Sequence, residues 1–158
     1  MSEMNAPGES RLLTNAEISA IKSIYRFAEP PTELAAMQVL TKGMRQADAL
    51  RAYAPEDCSR QSLSSHVKRI RASFNDIILH YGPGTGTELT DERVAFLCKV
   101  NRFQLKATKI FIKFFKGECT YTEAASQMGV YCELCESRIK KLRQDHALLL
   151  SVFTSPKS

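Results

Sequence analysis

Two cysteines three residues apart, Cys132 and Cys135, have the spacing of a pair of metal-ligating thiolates. A closed zinc site takes four ligands. The chain holds no second Cys-x-x-Cys, and Cys119 and His146 complete a set only if the fold gathers them. On an amphipathic helix the pair reads instead as small buried hydrophobes, so no metal and no cofactor is expected. Redox sensing by the pair is the alternative. A thioredoxin-like role needs a βαβ setting, and the pattern contains no strand. His66, His80 and His146 stand without the nearby Ser/Asp or Cys partners of a triad. Gly82-Pro83-Gly84-Thr85-Gly86 lacks the Lys-Ser/Thr of a phosphate loop and follows a helix. The chain therefore reads as a non-enzyme.

The remaining chemistry belongs to cations in helical register. Ser59, Arg60, Gln61, Ser64, Ser65, Lys68 and Arg69 open one helix. Arg and Gln near its start suit base edges, and the later Lys and Arg suit phosphates. Arg138, Lys140 and Lys141 take corresponding places in a second helix, with Arg143 beyond them. That helix begins Tyr131-Cys132-Glu133-Leu134-Cys135-Glu136, and its two carboxylates would repel phosphates. The first helix is thus the better candidate reader of DNA, and the second the weaker one. Lys106, Lys109, Lys113 and Lys116 stripe a further helix. They form either a solvated face or a second phosphate-contacting surface.

The elements that carry these residues occur twice. Leu13-Thr14 through Arg26-Phe27 answers Leu89-Thr90 through Arg102-Phe103, 76 positions on; Lys42-Gly43 answers Lys116-Gly117, and Arg69-Ile70-Arg71 with Asp76 answers Arg138-Ile139-Lys140 with Asp145. Each copy predicts two apolar helices, a glycine stop, a short small-residue helix, a turn and a basic amphipathic helix. Thr14-Asn15-Ala16-Glu17 and Thr120-Tyr121-Thr122-Glu123 fit capping boxes. The first helix presents Ile18, Ile21, Ile24 and Tyr25 on one face; Pro31 is expected to open the second helix, with Leu34, Met37, Val39 and Leu40 as its apolar residues. Ala49 and Ala125 stand where two helices cross closely, Gly129 stands in the turn, and Val67, Ile70, Ile139 and Leu142 face inward. The expected fold is all-α, two similar helix-turn-helix units in tandem. Its divisions are a disordered tail (1–12), a first unit (13–81), a mobile Gly-rich linker (82–87), a second unit (88–151) and a tail (152–158).

The net charge of +5 and pI near 9.0 favour polyanionic partners without requiring one. Residues 13–81 carry 9 basic and 7 acidic groups and residues 88–158 carry 12 and 8, so both halves share the excess. Neither a secretory leader nor a run long enough for a membrane span is visible. Five cysteines, an odd number with several in apolar patterns, suit a reducing, cytoplasmic setting.

Several of these residues also carry a resemblance. Val94-Ala95-Phe96-Leu97-Cys98-Lys99-Val100, Phe115-Lys116-Gly117, Thr122-Glu123-Ala124-Ala125, Gly129-Val130 and Arg138-Ile139-Lys140-Lys141-Leu142 carry it in the second half. In the first half Glu17-Ile18-Ser19-Ala20-Ile21, Lys42-Gly43-Met44-Arg45, Ala49, Tyr53 and Ser65 through Ile70 do. The chain resembles the PapB-type regulators of fimbrial (adhesin) operons and, more distantly, TrfB/KorA-type plasmid repressors. It departs from the former in carrying two units and in a first turn about three residues longer. The resemblance implies a bacterial, nucleoid-associated transcription regulator that binds double-stranded DNA as a homo-oligomer. The competing expectation is a protein–protein module that modulates another regulator by mixed pairing, which Glu133 and Glu136 favour.

Overall fold

A computed structural model describes residues 11–154. Over this range the chain is all-α, with eight α-helices: α1 (Asn15–Tyr25), α2 (Glu33–Lys42), α3 (Gln46–Tyr53), α4 (Arg60–Tyr81), α5 (Asp91–Val100), α6 (Leu105–Phe115), α7 (Tyr121–Met128) and α8 (Cys132–Leu149). A π-helical turn, Leu150–Thr154, follows α8. The described residues form two compact units divided between Leu79 and His80, so the last two residues of α4 group with the second unit. Of the two expected tails, residues 1–10 and 155–158 lie outside the described residues. The described ends are tied down. The Arg11 guanidinium bonds Glu17 at 3.0 Å and lies 5.0 Å over the Phe74 ring, and the Arg11 carbonyl accepts from Arg71. Phe153 is buried.

In the first unit, Thr14 and Glu17 form the capping box, each side chain satisfying a backbone N–H of the other. Ile18, Ile21 and Ile24 of α1 are buried with Ala35, Ala36, Val39 and Leu40 of α2, Ala49 of α3, and Leu63, Val67, Ile70, Phe74 and Ile77 of α4. Each large aliphatic side chain so buried stabilises the fold by about 1.5–3 kcal/mol. Two expectations for α2 need correction. The helix starts at Glu33, not Pro31, because Pro30 accepts the Glu33 N–H at 3.0 Å and closes a turn ahead of it. Leu34 is exposed, and Ala35 and Ala36 are buried instead.

In the second unit, Thr90 caps α5 and a second capping box, Thr120 with Glu123, opens α7. Val94, Leu97 and Cys98 of α5, Ala107, Ile110 and Phe111 of α6, Ala124 and Ala125 of α7, and Cys135, Ile139, Leu142 and Leu149 of α8 are buried. Here α5 packs on α6 and α8, and α7 on α6 and α8. Gly129 ends α7 at φ 71°, a left-handed geometry that only glycine adopts without strain.

The repeat persists in backbone geometry. Among the described residues the non-glycine residues with positive φ are Arg26 (56°) and Arg102 (61°), which stand 76 positions apart as the repeat requires. Each is followed by a phenylalanine that carries an arginine from the last helix of its own unit. Arg69 lies 5.1 Å over Phe27, and Arg138 lies 5.2 Å over Phe103. The units differ inside. In the first, Glu33 accepts from Lys22 at 2.7 Å and pairs with His66 Nε2 at 2.8 Å. The positions that answer Lys22, Glu33 and His66 in the second unit are Cys98, Ala107 and Cys135, all buried. An ionic relay in one copy is an apolar cluster in the other.

The Gly-rich stretch 82–87 belongs to the second unit and is clasped. Buried Arg93 donates from Nε to the His80 carbonyl (2.9 Å), from Nη1 to the Glu88 carbonyl (2.7 Å) and from Nη2 to Thr85 Oγ1 (2.9 Å), with its guanidinium 4.3 Å over the Tyr81 ring. His146 Nε2 lies 3.0 Å from the Thr87 carbonyl, and its Nδ1 lies 2.8 Å from the Tyr81 hydroxyl. A carbonyl only accepts, so Nε2 carries the proton and, in neutral His146, Nδ1 accepts from Tyr81. Glycines at 82, 84 and 86 make the sequence read as a free linker, because local pattern does not register an arginine that reaches back from α5.

Candidate nucleic-acid interface

Six residues, 54–59, separate α3 from α4, whereas three, 129–131, separate α7 from α8. Across the shorter turn α7 and α8 are in contact, and Ala124 and Ala125 of α7 are buried. Along α4 the buried stripe Leu63, His66, Val67, Ile70, Ser73, Phe74 and Ile77 leaves the opposite side to solvent. Arg60, Gln61, Ser65 and Lys68 are all exposed there, and Gln61, Ser65 and Lys68 follow one another at helical spacing along one strip. Ser64 is half-buried at its edge. Ser59 is exposed, but its hydroxyl accepts the Ser62 N–H at 3.0 Å and so caps the helix. Arg69 is exposed while its guanidinium face covers Phe27. The fold thus gathers Gln61, Ser65 and Lys68 on one open polar strip, leaves Arg60 exposed beside it at the first residue of α4, and assigns Ser59 and Arg69 partly to local structure.

The second unit distributes its cations differently. Lys140 is exposed. Lys141 pairs with buried Asp145, which also accepts from Asn101 at 3.1 Å. Arg138 is half-buried on Phe103. Arg143 donates to the Tyr121 hydroxyl at 3.1 Å and lies over Phe114 and Phe115. At the start of α8, Tyr131, Cys132, Glu133, Leu134 and Glu136 are all exposed, an acidic and apolar surface where α4 offers arginine and glutamine. On α6, Lys106, Lys109 and Lys113 form an exposed ridge, and Lys116 is exposed and pairs with Asp91 at 3.2 Å.

A group that sequence reasoning missed lies where that ridge meets α8. A cavity of about 360 Å³ between the start of α6 and the α7–α8 turn is lined by Arg102, Phe103, Gln104, Lys106, Ala107, Met128, Val130 and Arg138. The lysine stripe was a visible signal for one wall. The convergence of Arg102 and Arg138 on it was not, because they belong to different elements 36 positions apart.

The cysteine pair splits. Cys135 is buried as expected, but Cys132, the first residue of α8, is exposed. Among the described residues no three His, Cys, Asp or Glu side chains are placed to hold a metal ion. Burial, with the neighbouring Cys132 and Cys119 thiols, pushes the Cys135 thiol up, and burial raises Cys98 to about 11. Both are therefore poor nucleophiles at neutral pH. Among the described residues no helix is long and apolar enough to cross a membrane. Compared with families of known proteins, with curated proteins and with solved structures, the chain matches none.

Proposed function

We propose that this chain is a transcription regulator that binds duplex DNA through two tandem helix-turn-helix units, with α4 as the principal reading helix. One observation carries the reading: a short helix, a turn and a long helix with an exposed strip of Gln61, Ser65 and Lys68 and exposed Arg60 at its first residue, without a carboxylate among them. Such a surface offers a bidentate donor and an amide for base edges, then a lysine for the phosphate backbone. The second unit repeats the plan with its cations largely committed to aromatic rings and Asp145. It adds affinity more than selectivity, since covalent tethering raises its effective concentration at a neighbouring half-site. The resemblance to PapB-type regulators points to the same class, and to fimbrial or plasmid-borne genes, a nucleoid-associated location and binding as an oligomer.

A gel-shift series against genomic fragments at rising salt tests the proposal. Retarded complexes with a steep negative salt slope are expected. The absence of any complex at low salt would reject it.

A second reading has its own observation. Exposed Tyr131, Glu133, Leu134 and Glu136 at the start of α8 compose a surface suited to a protein partner. In that reading the chain pairs with another regulator and modifies it, and DNA retention would require that partner.

A further inference from the structure

We propose that the cavity between the start of α6 and the α7–α8 turn is a phosphate-binding pocket formed by Arg102, Lys106 and Arg138. Its lining contains these three cations and no carboxylate. Among the described residues none of the three takes part in an ion pair. Like charges that converge without a counter-charge repel one another, and this group lacks a negative partner. Arg102 is exposed and leaves the chain from a left-handed backbone at φ 61°. Arg138 is fixed by stacking on Phe103, which occupies the face of its guanidinium and leaves the edge N–H groups for an acceptor. Lys106 is exposed in the first turn of α6.

Met128 and Val130 close the apolar side and lower the local dielectric, which strengthens attraction to an anion. Three donors around one small cavity match the several acceptor oxygens of a phosphate. The site is particular to the second unit. Where it has Lys106 and Ala107, the first unit has buried Thr32 and the Glu33 carboxylate, which would repel the same ligand.

The phosphate comes either from the backbone of duplex DNA or from a free nucleotide. In the first case the pocket deepens the DNA-binding reading and rests on it; in the second it stands without it. The test titrates the 15N-labelled full chain with inorganic phosphate, with adenosine monophosphate and with a short duplex. Saturable shifts are expected at the amides of Ala107 and Val130 and at the Arg138 Nε–H. Lys106→Glu and Arg102→Gly should each weaken binding by about tenfold or more. Glycine accepts the left-handed backbone at 102, so the second variant keeps the fold, and dispersed spectra verify this for both. Shifts with mononucleotide and none with duplex assign the pocket to a free phosphorylated ligand. Shifts with duplex that mononucleotide competes away assign it to DNA. If no phosphate source moves these signals, or if binding keeps its wild-type affinity in both variants, the pocket is refuted. In the same duplex titration the amides of Gln61, Ser65 and Lys68 report on α4 alone. Silence there with shifts in the pocket rejects the α4 reading and leaves the pocket standing, and the reverse pattern does the opposite.

Discussion

Arginine plays two physical roles in this chain, and substitution separates them. Arg60 is exposed at the start of α4, where side chains of a reading helix reach base edges. Arg60→Ala is expected to cost about 1–3 kcal/mol at a preferred site and much less on random DNA. Lys68→Ala should weaken both about equally and reduce the salt slope by roughly one unit. Glu133→Ala should leave binding unchanged or tighten it. Competition binding on selected and random duplexes checks all three, and a loss of site preference in Glu133→Ala alone would move the reading role to α8. Arg69 and Arg138 instead cover Phe27 and Phe103. A double-mutant cycle on Arg69 and Phe27, read by urea denaturation, should return a coupling of about 0.5–1 kcal/mol. No coupling there would mean that the stacked geometry contributes nothing in solution.

Helix ends account for much of what the elements do. The Thr14 and Thr120 hydroxyls each accept a backbone N–H in a capping box. Replacing either with alanine is expected to destabilise the protein by about 1 kcal/mol in chemical denaturation. Gly129→Ala forces a side chain into the left-handed region at φ 71° and should cost roughly 1–2 kcal/mol. Ser137→Ala, at an exposed helical site, should be nearly neutral. Acid acts on two elements in separate windows. Burial and nearby Arg93 hold the His146 pKa below its ordinary 6.5, against the hydrogen bond to Thr87. The unfolded chain therefore takes up this proton first, so stability is full above pH 6.5 and falls as pH drops below it. Burial would raise Glu33, but its bonds to Lys22 and His66 hold it below the ordinary 4.5. Its contribution is present above pH 4.5 and is lost as pH falls further. Denaturation midpoints across pH 2–8 should show the upper loss vanish in His146→Gln and the lower one in Glu33→Gln.

Across the whole molecule the two units share several local features and differ in others. Both units keep the threonine caps, the left-handed arginine, the arginine-on-phenylalanine stack and the buried isoleucines 70 and 139. They differ in the surface of the last helix and in the ionic relay of Lys22, Glu33 and His66 against the apolar Cys98, Ala107 and Cys135. The stretch 82–87, glycine-rich and expected to move freely, is held by Arg93 and His146. Limited proteolysis should therefore cut it slowly in the wild type and faster in Arg93→Lys, which keeps the charge but cannot make the forked contacts. Equal rates in the two proteins would show that the clasp does not restrain the segment.

The sequence alone was enough for the all-α class, the repeat, both capping boxes, the glycine stops at 43 and 129, and most inward-facing residues of α4 and α8. These depend on periodicity and on hydrogen bonds between residues three or four apart, which are local. It was not enough for Leu34 against Ala35 and Ala36, because which side of α2 is buried depends on what the rest of the unit packs against it. Nor was it enough for the split between Cys132 and Cys135, the stacking of Arg69 and Arg138, or the clasp on residues 82–87. Tyr81 meets His146 across 65 positions, and Arg102 and Arg138 share a cavity from different elements. Such meetings are set by tertiary packing, since only the folded chain brings distant side chains within the few ångströms over which hydrogen bonds and charges act.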